Sequence, residues 1–500
     1  MTILSNDFSL LGEGAKAALG RTYGLHIDGK EVQTAKSYPL TDPSTGKEFA
    51  RASEAGEAEL NMAVAAAKLA LTGEWKRLRP HERELRILRL ADILESHVRE
   101  ISEIETLCSG RLLANTSGVD VMYSAHVLRY MGGWATKLEG QTMRLSVPYI
   151  PNGELSGFTF REPIGVVGAI VPWNVALGIA VWKIAPALAA GCSVVLKPAP
   201  QTPISAIRFA ELAIEAGIPA GVINIVTGSR PEVGQMLVAH KDVALVTFTG
   251  STEVGRKIAV SAASQFKKCS LELGGKSPVI MMGDADVEAA AQAAAVAVFS
   301  NHGQNCCAGS RLYVHRSIYD QVTERVVELA NDIQLSAPLI PGATMGPVIG
   351  PTQQARIMSI VDAGVYEGAT LAAGGVAVDH VGSYVRPTVL LDVTSDMTPV
   401  KEEIFGPVLV ATPFDTDEEV LALANDSQYG LGASVFTNDA GRIHRMTQGL
   451  EAGSVWINVH NALDVALPFG GWKDSGIGND LGESSVLAYT KLKASVHYHA

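Results

Sequence analysis

From Gly165 onward, short apolar segments that end at Gly or Pro alternate with Ala-rich segments of helical length. The first four apolar segments are GVVGAIVP, SVVLKPA, GVINIVTG and ALVTFTG, and the helical patterns that follow them lie at 178–190, 203–217, 231–240 and 253–265. Strands that are apolar on both faces are typical of parallel sheets covered by helices on each side. The alternation therefore predicts a doubly wound α/β domain, in which ligands bind at the carboxyl ends of the strands.

A second region of the same kind follows the first. Its strand candidates are SPVIMM, RLYVH, PVLVATPF, GASVFT and GSVWIN, and its helical patterns lie near 284–300, 317–334, 351–366, 416–425 and 439–449. Asp284 is expected to cap the first of these helices, and Gly303 is expected to end it. Residues 60–105 also carry helical patterns. We therefore expect two α/β domains that meet at a cleft.

The charge and the cysteine content exclude several classes of partner. The 500 residues carry a formal net charge of −12, so neither a nucleic acid nor an anionic membrane is expected as a partner. The 5 cysteines lack CxxC spacing, which argues against a disulfide framework and against a metal site. The first residues lack the pattern of a secretory signal, and no apolar run approaches the roughly 18 residues of a membrane span. We expect a cytoplasmic protein with a small-molecule partner.

Three glycine-containing segments resemble nucleotide-binding motifs to different degrees. SGIGNDLG has the spacing GxGxxxG and follows a turn-rich stretch, so it does not fit a dinucleotide fingerprint. ELGGKSP ends like a P-loop, but Ser270 stands where the first glycine belongs and Pro278 prevents a helix from starting. TFTGSTEVG is better placed, because Gly250 and Ser251 form a turn before a helix whose free N–H groups suit a pyrophosphate. A tight turn with a serine cap explains that pattern equally well.

Two polar residues follow predicted strands of the first domain. Lys197 ends SVVLK, where its ammonium group suits a ribose or a phosphate, although a solvated lysine is the commoner case there. Asn174 in VPWN follows another strand, and its amide suits a developing oxyanion or simply caps a turn. The neighbouring Trp173 also fits a core position.

Two glutamates are further candidates. Glu272 is a lone carboxylate between two leucines, and burial there would raise its pKa and suit a general base. The alternative is a strand glutamate that points toward solvent. Glu403 in EEIFGP fits a surface turn more readily than a site.

The stretch NHGQNCCAG places Cys306 and Cys307 in a short connection between a helix and a strand. A cysteine nucleophile needs a lowered pKa and a base within reach. Cysteines are also common as small buried apolar residues, and the local pattern alone favours neither thiol.

Seven motifs occur in the order VPWN, LKPAPQTP, FTGSTEVG, LELGGKSP, GQNCCA, EEIFGPV and PFGGWKDSG. This order resembles that of the NAD(P)-dependent aldehyde dehydrogenase superfamily over nearly the whole chain, from LHIDGK to YTKLK, and the chain is identified as a member. The family's nucleophile is the second residue after Gly-Gln. Here Gly303 and Gln304 are followed by Asn305 and then Cys306, so the resemblance implies Cys306 as the nucleophile.

The resemblance also implies the other catalytic roles. Asn174 and the Cys306 N–H would form the oxyanion hole, and Glu272 would activate water to hydrolyse a thioester to the carboxylic acid. Members that transfer the acyl group to CoA generally lack a base at the position of Glu272. Asp480 stands where many members have a glutamate that relays the proton from Glu272, and Lys183 belongs to the same expected set.

The implied cofactor is NAD. The residues expected around it are Ile170, Val171, Trp173, Asn174, Lys197, Pro200, Arg230, Phe248, Gly250, Ser251, Val254, Leu273, Glu403 and Phe405. Many NAD-preferring members have a glutamate where this chain has Pro200, so the carboxylate that would hold the 2′-hydroxyl is missing. Arg230, near the same ribose, suits a 2′-phosphate. We therefore expect use of NAD with some tolerance of NADP.

The aldehyde pocket is expected to be wide and apolar, because Val175 and Ala176 replace a Phe-Pro pair that is common in the family. The residues expected to line it are Val175, Ile179, Trp182, Asn305, Cys307, Leu463 and Phe469. Such walls suit an aromatic or bulky apolar aldehyde. Long-chain aliphatic aldehydes and semialdehydes are alternative substrates, although the sequence offers no cationic clamp for a semialdehyde. A catalytically silent binding or structural protein of the same fold is an alternative of another class.

One segment also indicates a subfamily. The stretch GSVWINVHNALDVALPFGG resembles a segment of phenylacetaldehyde dehydrogenases through Asn458, His460, Asp464, Leu467 and Pro468. Phenylacetaldehyde is therefore the expected substrate within the apolar class.

The resemblance finally implies a division of the chain. Residues 1–140 and 162–272 are expected to form the NAD(P)-binding domain, and 273–474 the catalytic domain. Residues 141–161 and 475–500 are expected to form a small β flap and bridging segment that builds a homotetramer as a dimer of dimers.

Overall fold

A computed structural model describes residues 4–150, 154–378 and 382–499. Its first large sheet has eight strands, of which the middle five are parallel and the outer ones antiparallel. In spatial order the strands are Gly476–Ile477, Lys268–Glu272, Val243–Thr249, Val166–Ile170, Ser193–Lys197, Ile223–Ile225, Leu25–Ile27 and Lys30–Val32. The predicted doubly wound sheet is confirmed.

Both faces of this sheet are buried, as its apolar strands predict. In the strand Val166–Ile170, Val167 and Ala169 pack into one core while Val166 and Ile170 pack into another. The helices between the parallel strands are Ala176–Ala190, Ile204–Glu215, Pro231–Ala239 and Thr252–Ala263. The strand order reverses between Val166–Ile170 and Val243–Thr249, and a crevice at such a reversal is the usual place for a ligand.

The second large sheet has seven strands, six of them parallel, with an antiparallel strand at one edge. In spatial order they are Thr370–Ala373, Thr388–Leu391, Val408–Phe414, Arg311–His315, Pro278–Met281, Gly432–Phe436 and Ser454–Ile457. Its α-helices are Val287–Phe299, Tyr319–Asp332, Pro351–Tyr366, Thr398–Lys401, Asp417–Asn425 and Ala440–Gly449. Five of the seven strands match the predicted segments, and Thr370–Ala373 and Thr388–Leu391 were not predicted.

The remaining helices cover the first sheet or lie near the chain ends. They are Glu13–Lys16, Glu57–Ala70, Glu74–Arg77, Pro80–Ser96, Val98–Ser109, Leu113–Asn115, Met122–Gly132 and Gly482–Ala488, with a π-helix at Thr116–Val121 and 3-10 turns at Phe8–Leu10, Gly133–Thr136, Ser300–Gly303 and Arg316–Ile318. No helix in the three described ranges is both long and apolar enough to span a bilayer.

Three small sheets complete the fold. A three-stranded sheet near the N-terminus contains Thr22–Tyr23, Glu48–Ser53 and Ser37–Thr41, and a two-stranded one pairs Tyr429–Gly430 with Trp472–Lys473. The third is antiparallel, with Thr142–Leu145, Glu154–Pro163 and Thr490–His499. Its strands lie largely within the predicted flap and bridging segment, of which residues 151–153 and residue 500 lie outside the described residues, while 475–489 carries the strand Gly476–Ile477 of the first large sheet and the helix Gly482–Ala488.

The predicted cap at Asp284 is wrong. The helix Val287–Phe299 is capped by Asp286, whose side chain accepts a hydrogen bond from the Ala289 N–H. Asp284 instead accepts hydrogen bonds from Thr437 and Arg442, which belong to the far end of the chain. The helix also ends at Phe299 and not at Gly303, because a 3-10 turn follows it.

Candidate active site

A cavity of about 390 Å³ lies between the two large sheets and contains most of the predicted chemistry. Its walls include four of the five predicted catalytic residues, namely Cys306, Glu272, Asn174 and Asp480. They also include all seven residues predicted for the substrate pocket, Val175, Ile179, Trp182, Asn305, Cys307, Leu463 and Phe469. Lys183, the fifth predicted catalytic residue, lies just behind this wall and bonds to Asp480. The sequence motifs therefore converge on one place in the fold.

The segment before Cys306 has an unusual backbone. Asn301, His302 and Gly303 all lie in the left-handed region, with φ of 51°, 58° and 67°. The first two are not glycine, and such residues occupy this region at a cost. The Asn301 side chain stabilises the turn, because its Nδ2 donates to Asn174 O at 3.3 Å and to Gln304 O at 3.0 Å.

Loops from the second domain hold the same segment from the other side. The Gly346 N–H donates to His302 Nε2 at 2.9 Å, and the Ile349 N–H donates to Gln304 Oε1 at 3.0 Å. Burial lowers the pKa of His302 to about 3, so its ring stays neutral and Nε2 remains an acceptor. The turn that presents Cys306 is thus fixed on both sides.

The two adjacent cysteines differ in their surroundings. The Cys307 thiol is 4% exposed and donates to Asn461 Oδ1 at 3.0 Å, while its carbonyl contacts His460 Nε2 at 2.9 Å. Cys306 is only half-buried. Its contact with the Cys307 thiol and its burial raise the pKa of Cys306 well above the ordinary range. Cys307 is therefore held by its neighbours, and Cys306 is the more accessible of the two thiols.

Glu272 ends the strand Lys268–Glu272 and is 2% exposed. Neither of its carboxylate oxygens has a hydrogen-bond partner among the described residues. Burial and the nearby charge of Asp480 raise the pKa of Glu272 well above its ordinary value, while Lys183 acts in the opposite direction. Lys183 Nζ donates to Asp480 Oδ2 at 2.6 Å, and both side chains are buried. A carboxylate whose pKa is raised in this way is suited to take up a proton as a general base.

Asn174 lies beside the nucleophile segment. Its Nδ2 donates to Gln304 O at 2.9 Å, which uses one of its two amide hydrogens. Its Oδ1 has no partner within the described parts of the chain. The side chain is 5% exposed and lines the cavity next to Cys306, as an oxyanion donor requires.

A second cavity, of about 500 Å³, opens beside the carboxyl end of the first sheet. Five of the predicted cofactor residues line it, namely Ile170, Lys197, Pro200, Arg230 and Val254. Lys197 is 7% exposed, and burial lowers its pKa to about 8. Ser251 caps the helix Thr252–Ala263 by accepting a hydrogen bond from the Val254 N–H, so the serine-cap alternative is realised at this turn.

Other predicted cofactor residues lie between the two cavities or support them. Val171 is buried and donates its N–H to Lys197 O. Phe248 packs on Gly250, and a Cβ atom built on Gly250 would lie 2.4 Å from the Phe248 ring. Leu273 packs on Gly255 in the same way, and a Cβ atom built on Gly255 would lie 2.3 Å from the Leu273 side chain. These glycines allow the chain to pack where a side chain would collide.

The last three predicted cofactor residues form one contact region. Trp173 and Phe405 meet edge to face with ring centroids 5.3 Å apart. Glu403 does not lie on a surface turn, because it is half-buried and its Oε1 accepts a hydrogen bond from the Gly275 N–H at 3.0 Å. Burial raises the pKa of Glu403 to about 7. The surface-turn interpretation is therefore wrong.

Residues 30–495 match the model of the aldehyde dehydrogenase family. The chain belongs to the aldehyde dehydrogenase family. It is 47% identical to the phenylacetaldehyde dehydrogenase of Pseudomonas fluorescens over 93% of each chain. The aldehyde dehydrogenase of Bacillus cereus in its NAD+ complex superposes with a TM-score of 0.95 at 42% identity, covering 98% of this chain and 99% of that one.

A third relative has an arylacetaldehyde in its name. A variant of the P. syringae indole-3-acetaldehyde dehydrogenase, in complex with NAD+ and IAA, superposes with a TM-score of 0.92 at 39% identity, covering 97% of this chain and 98% of that one. The fold and the family predicted from the motif order are confirmed.

One wall of this aldehyde dehydrogenase's cavity was missed by the sequence analysis. It comes from the stretch between the helix Val98–Ser109 and the start of the helix Met122–Gly132, which includes the π-helix Thr116–Val121, and its residues are Arg111, Asn115, Val119, Asp120 and Tyr123. A π-helix inserts one residue per turn and often occurs at functional sites. The segment RLLANTSGVDV has no motif, so no pattern in the sequence pointed to this wall.

The subfamily segment of this aldehyde dehydrogenase contributes Asn461, Leu463 and Phe469 to the cavity wall and also contacts the backbone next to Cys306. His460 contacts Ser434 Oγ at 2.9 Å through Nδ1 as well as the Cys307 carbonyl through Nε2. Asn458 exchanges hydrogen bonds with the Thr437 backbone, which fixes the start of the segment. The marker residues therefore act on the backbone around the predicted nucleophile.

Proposed function

We propose that this protein oxidises arylacetaldehydes such as phenylacetaldehyde to the corresponding carboxylic acids with NAD, and tolerates NADP. The observation that carries the proposal is the aldehyde cavity. Trp182 and Phe469 meet edge to face at 5.8 Å, and Val175, Ile179 and Leu463 supply further apolar surface beside Cys306. An aromatic ring with a short side chain fits such walls.

The chain's residues suit each step of the reaction. The Cys306 thiolate attacks the aldehyde carbon, and the resulting oxyanion accepts hydrogen bonds from the free Asn174 amide hydrogen and the Cys306 N–H. After oxidation of this thiohemiacetal to a thioester, Glu272 takes a proton from water, and the water oxygen attacks the thioester carbon. The Cys306 thiolate then leaves and the carboxylic acid is released. The Lys183 and Asp480 pair holds a proton near Glu272.

The second cavity fits a dinucleotide. The buried ammonium group of Lys197, the Gly250 turn and the N-terminus of the helix Thr252–Ala263 offer donors to a ribose and a pyrophosphate. Bound there, NAD would supply the hydride acceptor for the oxidation step. Pro200 and Arg230 line the same cavity. With proline at position 200, no carboxylate from that position repels the 2′-phosphate that NADP carries on its adenosine ribose.

The assembly proposal rests on the third small sheet. Its outer strand Thr490–His499 exposes Leu492, Val496 and Tyr498, and the adjacent strand exposes Phe158. An apolar edge of this kind is suited to a contact between copies of the chain, as in a homotetramer. We propose the same division of the chain that the sequence predicts: an NAD(P)-binding domain, a catalytic domain, and a flap with a bridging segment that joins the copies.

The test is a substrate panel with each cofactor. Phenylacetaldehyde, benzaldehyde, octanal and succinate semialdehyde are assayed with NAD and with NADP by the absorbance of the reduced nicotinamide. The highest kcat/KM is expected for phenylacetaldehyde with NAD, with measurable turnover in NADP. A preference for succinate semialdehyde would overturn the substrate proposal. Turnover of none of them, together with a Cys306 inert to iodoacetamide, would favour a catalytically silent protein.

A further inference from the structure

A buried ion pair between Arg111 and Asp120 lines the aldehyde cavity, although the pocket was expected to be apolar. Arg111 Nε and Nη2 donate to Asp120 Oδ2 and Oδ1, each at 2.7 Å, and the two residues are 6% and 4% exposed. Both belong to the wall of the cavity that holds Cys306. Charged groups this deeply buried in an otherwise apolar pocket are costly unless they have hydrogen-bond partners.

The pair retains unused hydrogen-bonding capacity. Arg111 Nη1 is buried and has no partner within the described parts of the chain. Each Asp120 oxygen accepts one bond from Arg111 and has room for another, because a carboxylate offers about four acceptor positions. A free donor and a free acceptor therefore lie side by side in the wall.

The backbone that carries Asp120 is also unusual. Asp120 lies in the π-helix Thr116–Val121, and the Ser124 hydroxyl donates to its carbonyl at 2.6 Å. The extra residue of a π-helix changes which side chains face the cavity, and here Val119, Asp120 and Tyr123 all line it. The π-helix thus places the Asp120 carboxylate in the cavity wall, whereas a regular α-helix would point this side chain in a different direction.

The charge balance excludes an anionic ligand. Arg111 is the only basic residue among the described residues that line the cavity, whereas Asp120, Glu272 and Asp480 supply three carboxyl groups. Glu105 lies behind the pair, fully buried, and the charge of Asp120 contributes to the raised pKa of its carboxyl. A carboxylate on the substrate would therefore meet no net positive charge. A neutral group that both donates and accepts a hydrogen bond fits better.

On the basis of the proposed function, we propose that the Arg111 and Asp120 pair binds a hydroxyl group on the ring of an arylacetaldehyde. The hydroxyl donates to an Asp120 carboxylate oxygen and accepts from Arg111 Nη1. The substrate class is then a hydroxylated phenylacetaldehyde, with the aldehyde at Cys306 and the ring between the aromatic walls.

The first experiment compares matched substrates on the wild-type enzyme. The kcat/KM values are measured for phenylacetaldehyde, for its 3- and 4-hydroxy derivatives and for the corresponding methoxy ethers, which cannot donate. At least one hydroxy derivative is expected to exceed both its ether and the unsubstituted aldehyde by about tenfold, the usual effect of a hydrogen bond to charged groups. Equal values for all rings would overturn the hydroxyl site.

The second experiment removes the pair as a unit. Replacing a buried ion pair by apolar residues of similar size is often tolerated, whereas removing one partner leaves a buried charge unpaired. The double variant Arg111→Met with Asp120→Leu is expected to lose the ratio of hydroxy to unsubstituted kcat/KM. Met122→Leu, two residues from Asp120 along the chain but exposed and outside the cavity lining, is the control and should keep that ratio.

The outcomes separate the two proposals. A hydroxyl preference that survives in the folded double variant would overturn the assignment to this pair. The thermal midpoint reports folding, and if the double variant does not fold, the wild-type ranking of hydroxy over methoxy rings decides alone. Oxidation of octanal without oxidation of any arylacetaldehyde would overturn the proposed function itself, whereas oxidation of phenylacetaldehyde without hydroxyl preference overturns only the hydroxyl site.

Discussion

Gly275 packs against the carbonyl group of Cys306, and an alanine at this position should slow catalysis. A Cβ atom built on Gly275 would lie 2.3 Å from Cys306 O and 3.1 Å from the Cβ of Leu431. A contact between carbon and a carbonyl oxygen is ordinarily no shorter than about 3.3 Å. The Cys306 carbonyl must therefore move by about 1 Å, since Leu431 leaves the new methyl group little room on its other side.

This movement displaces the predicted nucleophile and its N–H together. A misplacement of about 1 Å at a reacting group costs on the order of 100-fold in rate, equivalent to about 2.7 kcal/mol of activation free energy. Gly275→Ala should lower kcat by roughly that factor and slow the alkylation of Cys306 by iodoacetamide. Steady-state kinetics and the rate of inactivation by iodoacetamide measure the two effects.

The control is Gly73→Ala, at a residue that does not line the cavity. A Cβ atom built on Gly73 makes only ordinary contacts, 3.6 Å from Leu69 O and 3.7 Å from Ala70 O, so this variant should keep the wild-type kcat. Thermal midpoints of both variants establish that they are folded. A folded Gly275→Ala enzyme with wild-type kcat and wild-type alkylation would refute the reasoning, because the Cys306 carbonyl would then tolerate the displacement.

Four further outcomes are expected. Cys306→Ala should abolish aldehyde oxidation while Cys307→Ala largely spares it, as measured by NADH formation; the reverse would mean that the nucleophile is misassigned. The raised pKa of Glu272 means that its basic form accumulates only above the ordinary pH range of a glutamate, so kcat should increase as the pH rises past that range, and Glu272→Gln should abolish this increase in a pH-rate profile. Pro200→Glu should lower kcat/KM for NADP by about tenfold, because its carboxylate repels a 2′-phosphate, while turnover with NAD persists. His460→Phe should lower kcat about tenfold without raising KM, and His460→Gln, which retains a donor for the Cys307 carbonyl, should restore most of it.

The parallel sheets were predictable because their signal is local. Each strand is a short apolar run bounded by Gly or Pro, and each helix fills the interval that a crossover connection needs. The strands Thr370–Ala373 and Thr388–Leu391 lack that rhythm, since loops separate them from neighbouring elements. The cap at Asp284 failed for a different reason. Asp284 and Asp286 both fit a helix start, and contacts with the distant Thr437 and Arg442 decide between them.

In the candidate site, too, residues with a local sequence signal were predictable and residues placed by tertiary contacts were not. Cys306 and Glu272 were predictable because family motifs surround them, and they do lie in one cavity. Arg111 and Asp120 were not, because no motif marks their segment and a π-helix has no sequence signature. Glu403 was misjudged because polar residues next to Gly and Pro usually lie on turns, and the bond from the Gly275 N–H depends on tertiary packing.

The left-handed turn at Asn301 and His302 has a consequence for how the enzyme acquires its reactivity. Two non-glycine residues in that conformation cost roughly 2–4 kcal/mol in an isolated chain. The contacts that offset this cost come from Asn174 in the first domain and from Gly346 in the second. A nascent or partly folded chain therefore lacks the backbone arrangement that presents Cys306 to the cavity, and this arrangement forms only when the two halves of the molecule have docked.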